Sequence, residues 1–208
     1  MELQFYGANC LRVVTKKAVV TIDDNLTDLG LKSVTKNGDI VLFTGLHGDV
    51  LAGPKIVIDQ PGEYEVSDMS IKGVAARGHI EENDRHGTTL FRLIVDGVRI
   101  VITGHVYPEL TDEQLEALGT VDILCIPVGG NGYTLDPTGA LKIIKKIGPK
   151  IIIPTHYFDA TIKYPVSQVS LEEAIKELSI EPSETVDKLK LKVTELDEAT
   201  RLVILERQ

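Results

Sequence analysis

Val121-Asp122-Ile123-Leu124-Cys125-Ile126-Pro127-Val128-Gly129-Gly130 is followed by Asp136-Pro137, a periodic segment to Ile147, and then Lys150-Ile151-Ile152-Ile153. A nearly unbroken apolar run of this length is the pattern of a strand buried on both faces. Asp136 as N-cap and Pro137 in the first turn open a helix that carries Leu141, Ile144 and Ile147 on one face. A second buried strand comes directly after it. Two doubly buried strands joined by a helix make a parallel unit, and such a unit needs a layer on each side.

Working outward, residues 170–178 read as another capped helix, and residues 186–193 and 201–205 as closing strands. Upstream, Thr111 caps a short helix to Leu118 with Asp112 and Glu113 in its first turn. The first hundred residues have a different period. Short β-rich runs at 3–6, 11–15, 18–22, 39–43, 55–58, 64–66, 70–76, 89–95 and 98–102 are separated by turn residues, with Asp96-Gly97 a tight-hairpin signal. Residues 25–33 are expected to hold a turn of helix. A meander followed by β-α-β-α-β gives an α/β layered fold of two sheets, or one bent sheet, with helices outside.

At 208 residues the chain suffices for one well-buried core, and a single domain over 1–208 is the expectation. The net charge of −9 argues against nucleic acid or an anionic membrane as partner. Lys142, Lys145 and Lys146 fall at helical spacing and read as a solvated face. Cys10 and Cys125 lie inside apolar runs, as buried free thiols do in a reducing compartment. The start Met1-Glu2-Leu3-Gln4-Phe5-Tyr6 lacks a signal-peptide pattern, and no run approaches the ~18–20 apolar residues of a membrane helix. A cytoplasmic protein is expected.

Of the five histidines, four sit where an expected strand runs out into a loop. They are His47 in Thr44-Gly45-Leu46-His47-Gly48-Asp49-Val50, His79 after Gly78, His105 after Thr103-Gly104, and His156 after Pro154-Thr155. Side chains at strand ends converge above a sheet whatever their separation in sequence. Imidazoles with a carboxylate at such a point make a transition-metal site. His86 lies in a charged stretch and reads as a bystander.

These residues, together with Gly7-Ala8-Asn9-Cys10, Val20-Thr21-Ile22-Asp23, Pro61-Gly62-Glu63-Tyr64-Glu65-Val66 and Ile126-Pro127-Val128-Gly129-Gly130, resemble the metallo-β-lactamase fold superfamily. The likeness is to its small single-domain branch of metal-dependent hydrolases, and it covers nearly the whole chain. It implies a four-layer αββα sandwich with the active site along one edge of the sheets. The family signature Thr/Ser-His-x-His-x-Asp-His is damaged here. Gly45 and Val50 stand at its first and last histidines, and only His47 and Asp49 remain. His105 stands where the family has a bridging Asp, His79 and His156 match two further ligands, and Ala8 replaces an early histidine.

By this resemblance each metal of a two-metal site, ions about 3.5–4 Å apart, is one ligand short. One divalent ion, Zn, Mn or Fe, is therefore expected. His47, His79 and His105 form one available set, and Asp49, His105 and His156 another. Asp49 is the expected general base where it is not a ligand. The competing structural readings are a polar turn at His47 and Asp49, a loop histidine at His79, and a hydrogen-bonded neutral histidine at His105. Asp23 and Asp122 read as orienting or capping carboxylates. Gly129-Gly130-Asn131-Gly132-Tyr133-Thr134 lacks the Lys-Ser/Thr pair of a nucleotide loop. It reads as a tight turn that borders the site in the family, with substrate contact by Asn131 or Tyr133 left open. There is no Gly-x-Ser-x-Gly elbow, so covalent catalysis has no candidate. The expected function is hydrolysis of a small, anionic ester, lactone or phosphoester by metal-activated water. The alternative is a non-catalytic relative that binds a small ligand or partner in the old cleft. A homo-oligomer is left open.

Overall fold

Alternating runs and doubly apolar runs are built into two sheets, the second drawing its strands from both halves of the chain. The computed structural model describes residues 1–80 and 87–208; His86 and the rest of the charged stretch fall outside them. The first sheet contains β1 (Glu2–Gly7), β2 (Cys10–Val14), β3 (Val19–Ile22), β4 (Ile40–Leu42), β5 (Ile56–Ile58) and β13 (Leu189–Lys190), in the order β13-β1-β2-β3-β4-β5. The second contains β6 (Gly62–Val66), β7 (Met69–Ala76), β8 (Thr88–Val95), β9 (Val98–Ile102), β10 (Ile123–Pro127), β11 (Ile151–Thr155), β12 (Pro182–Val186) and β14 (Arg201–Leu205). Its order is β12-β14-β11-β10-β9-β8-β7-β6. Helices α1 (Asp112–Leu118), α2 (Pro137–Ile147) and α3 (Leu171–Leu178) carry the caps their sequences call for. Thr111, Asp136 and Ser170 each accept a backbone N–H.

Strand β10 explains why its sequence is apolar without alternation. Ile123 and Cys125 enter the core between the sheets with Leu11, Leu42, Phe91, Ile100 and Ile153. Leu124 and Ile126 point the other way, into a second core with Leu118 of α1, Ile143 of α2 and Leu178 of α3. β10 is parallel to both β9 and β11, with Cys125 opposite Ile102 and Ile153. Truncating a side chain as deeply buried as Phe91 costs about 3–5 kcal/mol. The two-sheet α/β sandwich expected from the sequence is the fold found.

Two local expectations change. Residues 186–193 do not form one strand. Val186 ends β12 in the second sheet, the exposed Asp187 lies in the link, and β13 pairs with β1 of the first sheet before a 3-10 turn at Val193–Glu195. The chain changes sheets there, so one apparent strand serves two. Residues 25–33 hold tight turns rather than a helix, with Leu29 N–H donating to Leu26 and Gly30 N–H to Thr27. The Asp24 carboxylate collects Val34 N–H, Thr35 N–H and the Ser33 and Thr35 hydroxyls. This local side-chain bonding competes with helix. Among the described residues, no helix is long and apolar enough to cross a membrane.

Candidate active-site pocket

The carboxyl ends of β3, β4, β9 and β11 meet along one edge of the sandwich, where open α/β sheets place their ligands. Thr44, just after β4, is the joint between the sheets. Its N–H and Oγ1 each donate to Asp23 at 2.7 Å, and its carbonyl accepts from Thr89 N–H and Thr88 Oγ1, both also at 2.7 Å. Gly104, at φ +56°, packs so closely that any Cβ there would run into the Thr44 side chain. Asp23 itself has φ +47°, which turns its carboxylate back over the strand end.

A cavity of about 330 Å³ opens at this edge. His79, His105, His156, Asp23, Asn9 and Tyr133 are among the residues that line it. His79 and His105 are fixed to each other through the backbone. His79 N–H donates to the His105 carbonyl at 2.7 Å, and Gly78 bridges Val106. His156 has φ +55°, and its N–H donates to Ala8 at 2.7 Å. The His105 and His156 rings meet edge to face, 4.7 Å between centroids.

Hydrogen bonding sets the tautomers. Nδ1 of His105 faces the Tyr133 carbonyl at 3.3 Å, an acceptor, so this nitrogen carries the proton. Nδ1 of His156 faces Gln168 Oε1 at 3.1 Å. The Gln168 amide nitrogen is committed to the Val166 carbonyl, so here too the imidazole donates. Both rings keep an unprotonated Nε2. Burial holds His105 at about 3, helped by the neighbouring His156, and His156 at about 4, against the opposing Gln168 bond. His79 is also lowered by burial, and among the described residues its buried Nδ1 has no hydrogen-bond partner. Burial raises Asp23 to about 6 despite its two bonds from Thr44. The pocket thus holds uncharged imidazoles beside a carboxyl group that titrates near neutrality.

His47 and Asp49 are elsewhere. His47 stacks on Phe43 at 3.9 Å, contacts the Gly48 carbonyl, and faces Asp59 at 3.3 Å. Asp49 is exposed at a separate cavity of about 70 Å³ beside Asp24 and Asp28. Of the five residues singled out as ligands, the fold brings three together. The donor chemistry suits a divalent transition ion, whose usual ligands are neutral imidazoles, and two of the three, His105 and His156, are oriented through Nδ1–H bonds. Their spacing is less complete. No three His, Cys, Asp or Glu side chains among the described residues are grouped to hold one ion. Asp122, in turn, is a structural carboxylate that receives Arg99 through its backbone and side chain.

The roles of Gln168 and the Tyr133 carbonyl had no sequence signal, since each depends on contacts between distant loops, whereas Thr44 stands at the Thr/Ser position of the family signature. Gly129 did leave a trace in the Pro-Val-Gly-Gly run. A Cβ there would strike the His156 carbonyl and Gln168.

The two sheets and strand-edge pocket define a protein of the metallo-β-lactamase fold. A metallo-β-lactamase superfamily protein from Thermotoga maritima superposes with a TM-score of 0.77 over 99% of both chains at 24% identity. The beta-lactamase superfamily domain profile matches residues 2–156, and the chain belongs to that superfamily. It is similar to a UPF0173 metal-dependent hydrolase of Thermoplasma acidophilum, 26% identical over 76% of this chain and 83% of the relative. A second, from Thermoplasma volcanium, is 26% identical over 88% of this chain and 96% of its own length.

Proposed function

We propose that the chain is a metal-dependent hydrolase of a small ester, lactone or phosphoester, acting at the histidine pocket with one divalent ion. The observation that carries this reading is the convergence of His79, His105 and His156 on one cavity as uncharged imidazoles. These are the residues that would hold Zn, Mn or Fe, and the ion would supply Lewis acidity and water activation near neutral pH. The chain's own residues do the rest. Gln168 and the Tyr133 carbonyl orient the rings, burial keeps them unprotonated, and Asp23 holds or releases a proton in the range useful to a general base. A catalytic part for Asp49, or a ligand role for His47, requires the Gly45–Gly53 loop to turn inward. The reading places the protein in the cytoplasm with a small-molecule substrate and no nucleic-acid partner.

A second reading is favoured by the outward placement of His47 and Asp49 and by the ungrouped donors. In it the pocket binds a small ligand without chemistry. Metal content per chain separates the two, measured by mass spectrometry on protein prepared without a metal-binding tag. About one equivalent, lost in His79→Ala/His156→Ala, supports the hydrolase. Metal retained by that double variant removes the site. No metal, and none taken up on titration, leaves the binding reading.

A further inference from the structure

The mouth of the pocket differs from its base. Leu46 is 97% exposed and Ile80 64% exposed, yet both line the cavity, with the half-buried Leu29 beside them. Large aliphatic side chains held in water at the rim of a cavity mark a surface that an apolar group covers. The charges on the described wall are of one sign: Asp23 at the base and the exposed Asp28 toward the mouth, with no lysine or arginine among the described lining residues. A charged group on the tail would lose hydration beside Asp28 and meet no lysine or arginine among the described lining residues, whereas an uncharged chain would shed water from Leu29, Leu46 and Ile80.

We infer that the pocket takes a ligand with an uncharged aliphatic tail, the tail lying on Leu29, Leu46 and Ile80 and the polar head toward the histidines. This deepens the hydrolase reading by narrowing its substrate to aliphatic esters or lactones. It stands equally for a pocket that only binds.

The test holds the head constant and varies the tail, so that any metal at the base acts alike on every probe. Octanamide, 7-carboxyheptanamide and 8-aminooctanamide are titrated into the full chain carrying ¹³C-methyl leucine and isoleucine. Octanamide is expected to shift the Leu46 and Ile80 methyls saturably and to bind about ten-fold more tightly than the carboxylate probe. Leu46→Ser should weaken octanamide about five-fold while leaving acetamide unchanged. Asp28→Lys should narrow the gap between octanamide and the carboxylate probe. Equal or tighter binding of either charged probe overturns the inference, as does no saturable shift with any of them. Methyl shifts that follow protein concentration instead would identify a second copy of the chain as the occupant, and also overturn it. Metal content is measured on the same samples. A chain that holds no metal, takes none up on titration and still prefers octanamide removes the hydrolase reading and leaves the tail site standing.

Discussion

His156 and His47 both follow the end of a short apolar strand, and they end in opposite states. β11 is buried throughout, and the residue beyond it is held by Ala8 and Gln168, with Gly129 packed against its carbonyl. β4 has three residues, and the loop beyond it contains Gly45 and Gly48, neither with any atom near where a Cβ would stand. One imidazole is therefore buried at the pocket and the other is turned out onto Phe43. A strand end fixes where a side chain starts; the packing of the next loop fixes where it points.

The strongest way to break this contrast is to fill the space that pins His156. Gly129→Ala should destabilise the fold by about 2–4 kcal/mol, since the obstacle is backbone and cannot move aside. Urea denaturation followed by circular dichroism checks it, and a value near zero would mean the loop is loose. His156→Ala should cost about 2 kcal/mol through the cavity and the orphaned Gln168.

Acid should separate the two ends as well. His105 and His156 have folded pKa values of about 3 and 4, below the unfolded value near 6.5. Between those limits the unfolded chain binds more protons at both, so their stabilisation is complete above about pH 6.5 and declines as pH falls toward 4. Asp23 works in reverse. Its folded pKa of about 6 lies above the unfolded carboxyl value, so between about pH 4 and 6 the folded state holds the extra proton. The two histidines outweigh the one carboxyl group, leaving a net loss of about 1.4 kcal/mol per pH unit on acidification from 6 to 4. Asp23→Asn should steepen that slope, as thermal melts across this range would reveal. His47→Ala should be nearly silent, under about 0.5 kcal/mol, because the ring is part-exposed and its Asp59 contact faces solvent. A larger loss would show that the Gly45–Gly53 loop is tied down through His47.

Much of the fold was legible because its signals are local. The caps at Thr111, Asp136 and Ser170, the doubly apolar β10 and β11, and the Asp96-Gly97 hairpin each depend on a few adjacent residues. Residues 186–193 misled because a β-rich run carries no mark of which sheet each half will join. Residues 25–33 misled because the Asp24 carboxylate captures amides some ten positions away.

The same division holds at the site. The sequence by itself determined that histidines would stand at strand ends, that Gly45 and Val50 leave the family signature incomplete, and that the chain is acidic overall. Only the tertiary structure decided that His79, His105 and His156 share one cavity while His47 and Asp49 face away. Those outcomes rest on burial and on bonds donated to Gln168 Oε1, the Tyr133 carbonyl and the Ala8 carbonyl, partners that come near only once both sheets have closed on Thr44.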